Sequence, residues 1–491
     1  MTRAAEQDAL HSLEAPFIRK FQWALLAGIT LLAFALRFYK LGEWSFWIDE
    51  IFTINHTQAH YSSLALILRN IPPHTNWVPV SLLLASGVTN VWGISEWSVR
   101  LVPAIIGVLS ISVLYLFSKK IFGTRVALIS ALLLAVSPWH ILWSQNGRFY
   151  TALMLFYTLT LAAFYFGLEH NRPRYLIAAL PLFYLALSER MIAGFIAPVI
   201  AAYLILVSIL PFVKPPGLNR KNLFILFIPV IAGLLIEVHS LSTRGYSRFF
   251  GDSSSFVGNP IDSPVRILIL IFFSLGLPVV VLSLFAGGWL VWQRSRAALF
   301  FLVSATVPII LLIGISPWVF VVERYALITL PAWLIITAVA LERLAAWLPQ
   351  QGRWLGVAVL ALLLADAAGA HLMYYQLNNG NRPDWRGAFA YVQAHKAPDD
   401  LIVSTWPEIG NYYLGDDQEI FRLAGTDPAQ LALENKPIWF VIDSEAVWFA
   451  SSANKQWMEN NAELLFVWYL RVREQIDMKV YRYQPTGSLS E

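Results

Sequence analysis

Asp49 and Glu50 are adjacent carboxylates in a stretch rich in ionisable and aromatic side chains, among them Trp44, Trp47, His56, His60, Arg69, His74 and Trp77. A carboxylate within hydrogen-bond reach of a hydroxyl or an amine, and partly withdrawn from water, can take its proton as a general base. The competing assignment is a helix cap, because an acid opening an amphipathic helix satisfies free amide groups. A second set is cationic: Arg69, Arg100, Arg148, Arg190, Arg244, Arg248 and Arg324. The planar guanidinium fork suits a phosphate, although any single arginine can also snorkel to a headgroup or pair with Glu189 or Glu323. His56 and His60 stand four residues apart on an expected helix, with Asp49 and His74 nearby, so a divalent metal site is one option there. Histidines among interfacial tryptophans are the plainer reading, and no cofactor or metal is expected. The absence of cysteine removes thiolate ligands, cysteine nucleophiles and disulfides.

These groups need a scaffold, and composition defines it. Of 491 residues, 57% are hydrophobic and 13% charged, with mean hydropathy +0.58, whereas soluble chains carry about 25% charged residues. That excludes an ordinary soluble enzyme, a disordered chain and a coiled coil, and leaves a polytopic α-helical membrane protein. The net charge of +4 does not imply nucleic acid, because membrane proteins partition charge by topology. Crossing about 30 Å of hydrocarbon takes about 20 apolar residues. Eleven stretches qualify, at approximately 21–40, 98–118, 126–143, 150–168, 175–188, 191–211, 223–242, 265–291, 297–317, 325–342 and 354–374. Basic residues collect in alternate connections (Arg19 and Lys20; Lys119, Lys120 and Arg125; Arg172 and Arg174; Lys214, Arg220 and Lys221; Arg294 and Arg296; Arg343 and Arg353). The positive-inside rule then puts the N-terminus in the cytoplasm and everything after about residue 375 outside.

Parity decides two ambiguous stretches. Segment 76–93 is apolar but interrupted by Asn76, Pro79, Ser81, Thr89 and Asn90; if it crossed, every later loop would invert, so it reads as a helix lying in the outer interface. Segment 175–211 is broken only by Ser188, Glu189 and Arg190, and basic clusters on both sides require a pair of short spans turning at Glu189. The layout is therefore a membrane domain over 1–374, a first outer loop over 41–97 with interfacial helices, and a small extracytoplasmic α/β domain over 375–491. Expected strands there are Leu401 to Ser404, Ile438 to Ile442, Leu464 to Leu470 and Lys479 to Tyr483. Helical stretches alternate with them at Asp384 to His395, Asp427 to Glu434 and Ala453 to Asn461. Arginines on the outer side run against the charge bias, and a polyprenyl-phosphate-linked sugar, with its tail in lipid and its phosphate at this depth, fits them.

The chain resembles the bacterial GT-C-type glycosyltransferases related to protein O-mannosyltransferases and the lipid A aminoarabinose transferase. The resemblance is carried by Trp47-Ile48-Asp49-Glu50, Ile71-Pro72-Pro73-His74 and Glu96-Trp97-Ser98-Val99-Arg100-Leu101. It continues through Ser137-Pro138-Trp139-His140 to Ser144-Gln145-Asn146-Gly147-Arg148-Phe149-Tyr150, and then Glu323-Arg324-Tyr325 with Pro331 and Pro383-Asp384-Trp385-Arg386. It covers the first 190 residues well and the rest loosely. It implies a GT-C-like fold and an inverting transfer of a hexosyl or pentosyl group from a polyprenyl-phosphate donor at the outer face of a bacterial inner membrane. Asp49 and Glu50 are then the catalytic pair, with Asp49 as the base, Arg148, Arg324, Arg190 and Arg100 hold the donor phosphate, and His74, Tyr150, Glu189, Tyr325 and Trp47 contact substrate. Two positions depart from the pattern: Asn146 stands where many relatives carry an acid, and His74 follows the proline pair instead of preceding it.

The partners implied are the lipid-linked donor, membrane lipid and an acceptor that is a protein, a lipid or a glycan. Competing readings are a lipid-linked sugar transporter or flippase, and a noncatalytic envelope scaffold. A transporter would carry more mid-membrane ionisable groups than Glu237, His239 and Asp366, with broken helices in paired halves.

Overall fold

The computed structural model describes residues 16–63, 65–66, 79–228, 231, 263–318, 320–347, 351–415, 417–444, 446, 450–468 and 477–485. Among these residues seven helices are long and apolar enough to cross a membrane: Lys20–Phe38, Glu96–Phe122, Tyr150–Glu169, Met191–Ile209, Arg296–Ile315, Glu323–Leu344 and Trp354–Leu377. Two sharply bent helix pairs raise the number to nine if each is one span. The chain is a multi-pass membrane protein, and the expected count of eleven is not reached among the described residues. Pro173–Glu189 has only 17 residues, with Pro181 inside it, and the expected span 223–242 runs outside the described residues beyond 231.

In chain order the membrane unit contains α1 (Pro16–Phe38), α2 (Ile48–Tyr61), α3 (Val80–Trp92), α4 (Glu96–Phe122), α5 (Thr124–Ala135), α6 (Pro138–Ser144), α7 (Tyr150–Glu169) and α8 (Pro173–Glu189). It continues with α9 (Ile196–Ile209), α10 (Pro264–Leu275), α11 (Leu277–Trp292), α12 (Arg296–Ile315), α13 (Leu330–Trp347) and α14 (Gln351–Leu372). One hydrophobic core runs through the bundle, with Tyr157, Phe164, Tyr203, Phe300 and Trp333 fully buried in it. Helix α3 has 13 residues, about 20 Å at 1.5 Å per residue and so too short to cross. It packs on α2 and α4. Helix α4 starts at a reciprocal cap: Ser98 N donates to Ser95 Oγ at 3.2 Å and Ser95 N to Ser98 Oγ at 2.9 Å. That cap fixes where Glu96 and Arg100 stand.

Proline and glycine bend two stretches that were expected to be single spans. Between α5 and α6 the axis turns by 58°, because Pro138 cannot donate a hydrogen bond to the preceding turn. The freed carbonyls find donors elsewhere: Arg37 on α1 donates to Leu134 O at 3.1 Å and Ala135 O at 2.9 Å, and His371 Nε2 donates to Val136 O at 2.8 Å. Helices α10 and α11 cross at 92° around Gly276, which has φ +88°, with Pro278 in the first turn of α11. Positive φ is nearly free for glycine and costly for other residues.

Beyond α14 a π-turn, Met373–Leu377, leads into a five-stranded sheet of β1 (Leu401–Ser404), β2 (Ile420–Arg422), β3 (Ile438–Asp443), β4 (Glu463–Trp468) and β5 (Met478–Tyr483). The order is β2-β1-β3-β5-β4, with β1 parallel to β2 and β3, and β5 antiparallel to β3 and β4. Helices α15 (Trp385–His395) and α16 (Pro407–Leu414) cover it. Strand β2 and helix α16 are additions to the expected elements. β2 has only three residues, too few to show alternation.

The sheet unit is joined to the helices by a mixed core. Phe46, Ile48, Ile51 and Ile54 of the α2 segment pack with Trp385, Phe389, Ile409, Trp439 and Val480. Glu96 at the head of α4 takes hydrogen bonds from Arg386 and, at 2.8 Å, from the Tyr413 hydroxyl. The sheet therefore caps one end of the bundle, over the connection that carries Asp49.

Candidate active site

Helix α2 begins with Trp47 as an extended N-cap and no side-chain cap, so neither Asp49 nor Glu50 occupies the capping position. Successive helical residues diverge by about 100°, and with Ile48, Ile51 and Ile54 buried against the sheet unit the two carboxylates have different fates. The Glu50 side chain is 0% exposed and that of Asp49 is 22% exposed.

Glu50 sits in a closed network. Arg100 Nε donates to Oε1 at 2.8 Å and Arg100 Nη2 to Oε2 at 2.7 Å, a bidentate pair. Gly147 N donates to Oε1 at 2.7 Å and Arg382 Nη1 to Oε2 at 3.3 Å. Burial alone pushes the Glu50 carboxyl up. The two guanidinium groups and the Gly147 amide outweigh it, and hold the carboxyl below its ordinary value. Arg100 spends its remaining donors on Leu41 O, Trp44 O and Ser45 O at 2.9 to 3.2 Å. Glu50, expected beside the base, is enclosed by this network, and Arg100, expected on the donor phosphate, has every donor nitrogen occupied and no exposure. Gly147 permits the close approach: a Cβ there would collide with Val99 and press on Glu50.

Asp49 sits in an open cluster. Its Oδ2 lies 3.6 Å from Arg324 Nη2 and 3.8 Å from Arg148 Nε, ion pairs without a hydrogen bond. Arg148 is held by Nη1, which donates to Asp49 O at 3.0 Å and Thr53 Oγ1 at 2.8 Å. Its Nε is buried with no hydrogen-bond partner. Arg324 is oriented by Nε, which donates to the Tyr150 hydroxyl at 2.8 Å, and by two indoles, Trp47 and Trp143, with ring centres 5.4 and 5.7 Å from its guanidinium carbon. Trp47 is tethered in turn, Nε1 to Asn146 Oδ1 at 3.4 Å. Exposed Arg190 lies 5.4 Å over the ring of Phe149, the ring that Arg148 also faces at 5.2 Å.

Residues far apart in sequence thus converge: Asp49 and Trp47 from the start of α2, Arg148 and Tyr150 from the α6 to α7 connection, Arg190 after α8, and Arg324 before α13. Tyr325, half-buried, packs against the bundle core. Glu189 is elsewhere engaged, accepting from Ser81 N at 2.9 Å and from the Ser81 hydroxyl. Buried and facing the first turn of α3, it caps that helix, so the carboxylate expected on substrate is engaged there. His74 lies outside the described residues, as do Arg69, Arg244, Arg248, Glu237 and His239. Among the described residues no three His, Asp or Glu side chains converge as metal ligands. Sequence reasoning missed Arg37, Thr53, Trp143 and Arg382. An arginine inside the first apolar span was the available signal for Arg37, and the Asn-Asn-Gly-Asn run before Arg382 was the signal for a built turn.

Three comparisons bear on this arrangement. Residues 72–236 match the family model described as dolichyl-phosphate-mannose-protein mannosyltransferase. The Bacillus subtilis protein YycA, whose mannosyltransferase name is itself provisional, is 23% identical over 194 residues, 39% of this chain. That match spans only 27% of the relative's length. Among solved structures, ArnT from Cupriavidus metallidurans superposes with a TM-score of 0.55 at 15% identity, covering 94% of this chain and 97% of that one. Its complex with undecaprenyl phosphate gives 0.54 at 14%, covering 96% and 99%. The Archaeoglobus fulgidus oligosaccharyltransferase gives 0.56 at 14%, covering 93% and 74%. Sequence and fold together point to the GT-C glycosyltransferase superfamily, and the chain has that fold: a helical membrane bundle carrying a small α/β unit at one end.

Proposed function

We propose that this chain is an inverting glycosyltransferase that moves a sugar from a polyprenyl-phosphate donor to an acceptor hydroxyl or amine at the outer face of a bacterial plasma membrane. The observation that carries the reading is the open cluster, a partly exposed carboxylate flanked by two arginines whose forks are not filled. In this reading the lipid phosphate binds between Arg148 and Arg324 with Arg190 at the entrance, and draws both guanidinium groups away from Asp49. The freed carboxylate then accepts the proton of the acceptor as its heteroatom attacks the anomeric carbon. The bond from that carbon to the phosphate oxygen breaks, and its electron pair leaves on the phosphate, where the arginines stabilise the charge. One displacement inverts the anomeric centre, and the good leaving group needs no general acid.

The solved relatives include one bound to undecaprenyl phosphate and one in complex with an inhibitory peptide and a dolichol-phosphate, which supports a polyprenyl-phosphate partner here. The basic connections support a cytoplasmic N-terminus and a sheet unit on the outer side. The test is purified protein in nanodiscs with a panel of synthetic polyprenyl-phosphate hexoses and pentoses and an envelope acceptor fraction, with the product anomer assigned by NMR. Transfer with inversion is the expected result. Retention of configuration, or donor binding without transfer, would overturn it.

A further inference from the structure

Arg382 belongs to the connection between α14 and the sheet unit, yet its side chain, 4% exposed, lies among the site loops. It donates from Nη1 to Glu50 Oε2 at 3.3 Å and from Nη2 to Gln145 O at 2.8 Å. Glu50 adjoins Asp49, and Gln145 precedes Arg148 by three residues, so one guanidinium ties together the two segments that carry the open cluster. The connection is built for this. Asn379, Gly380 and Asn381 take φ of +47°, +63° and +54° in succession, a left-handed run that only glycine and asparagine tolerate readily. Internal bonds hold it: Asn381 N to Asn378 O at 2.7 Å and Asn379 Nδ2 to Arg382 O at 3.2 Å. Gly380 lies flat against the indole of Trp44, where a Cβ would stand 2.6 Å from the ring.

We infer that Arg382 is a positioning residue through which the sheet unit sets the distance between Asp49 and Arg148, making that unit a working part of the reaction site. The inference rests on the proposed chemistry at Asp49, and its test separates the two. Full-length protein in nanodiscs is compared as wild type, Arg382→Met, Arg382→Lys and Gly380→Ala, by hydrogen exchange and by transfer kinetics. In Arg382→Met, exchange should rise in segments 46–56 and 144–150 while strands β1 and β3 keep their protection. Its kcat should fall about a hundredfold, the scale of a small misplacement, with donor KM within about threefold. Arg382→Lys keeps the charge but reaches one acceptor instead of two, and should recover part of the loss. Gly380→Ala leaves every charge in place and strains the turn through its positive φ and its contact with Trp44; it should reproduce the exchange pattern more weakly, which keeps the test open if Arg382→Met does not fold. Unchanged exchange in both loops with wild-type kcat would overturn the inference, as would loosening spread through the sheet. If wild type transfers nothing, the exchange pattern still decides the positioning role, and only the glycosyltransferase reading falls.

Discussion

The two ends of α7 carry the same ingredients put to different use. At the Glu169 end, Arg296 donates to that carboxylate at 2.8 and 3.1 Å, the Tyr203 hydroxyl donates at 3.3 Å, and Arg296 also bonds Val213 O. The paired side chains are 2% and 8% exposed. At the Tyr150 end, Arg324, Arg148 and Asp49 stay 3.6 to 3.8 Å apart with about a fifth of each side chain exposed. A closed ion pair has no capacity left for a ligand. An open one retains donors and a carboxylate in a partly dry setting, where an incoming anion gains most. On the proposed reading the difference separates a structural clamp from a reaction site without appeal to residue type, and the Glu50 network falls on the clamp side although it touches the open cluster.

Substitutions at the two ends should part company. Asp49→Asn should lower kcat for sugar transfer by about a thousandfold, within the range for a lost general base, while undecaprenyl phosphate binding by titration stays within about threefold. At the opposite end, Glu169→Gln leaves Arg296 buried and short of its partner, and should cost about 3 kcal/mol in a denaturant or thermal assay. Transfer well below the melting point should be retained there, and a loss would erase the contrast. Arg324→Met should weaken undecaprenyl phosphate binding about tenfold or more and reduce transfer further, with little effect on melting. The smallest effect concerns acid. Because the folded Glu50 carboxyl is held below its ordinary value, its contribution to stability is fully present above the unfolded value of about 4.3. That contribution is lost as pH falls through the depressed folded value. Melting measured from neutral to acid pH should therefore show a descending limb that is shallower in Glu50→Gln.

Much of this was legible in the sequence. All seven unbroken spans were expected, because sustained apolar runs bounded by basic loops leave little alternative. Four of five strands were expected from their β-branched and aromatic runs. The bend at Gly276 was not, since hydropathy averages over a single glycine and a proline. Asp49, Arg148, Arg190 and Arg324 were selected together by chemistry and resemblance, and the fold brings them to one place. Glu50 and Arg100, chosen with them, lie instead in the closed network for a geometric reason. Adjacent acids on a helix point about 100° apart, and one sequence does not say which faces inward. Glu189 is a similar case: a buried carboxylate near a loop serves a helix end as readily as a substrate. Arg382 escaped notice because its position depends on three left-handed residues that bring a distant connection back into the bundle.

If the open cluster is a phosphate site, its occupation releases Asp49. A cryo-EM structure of the protein in nanodiscs with undecaprenyl phosphate tests it most directly. The phosphate should lie between Arg148 and Arg324, with both guanidinium groups drawn beyond ion-pair distance of the Asp49 carboxylate. Phosphate density elsewhere, with both arginines still on Asp49, would contradict it.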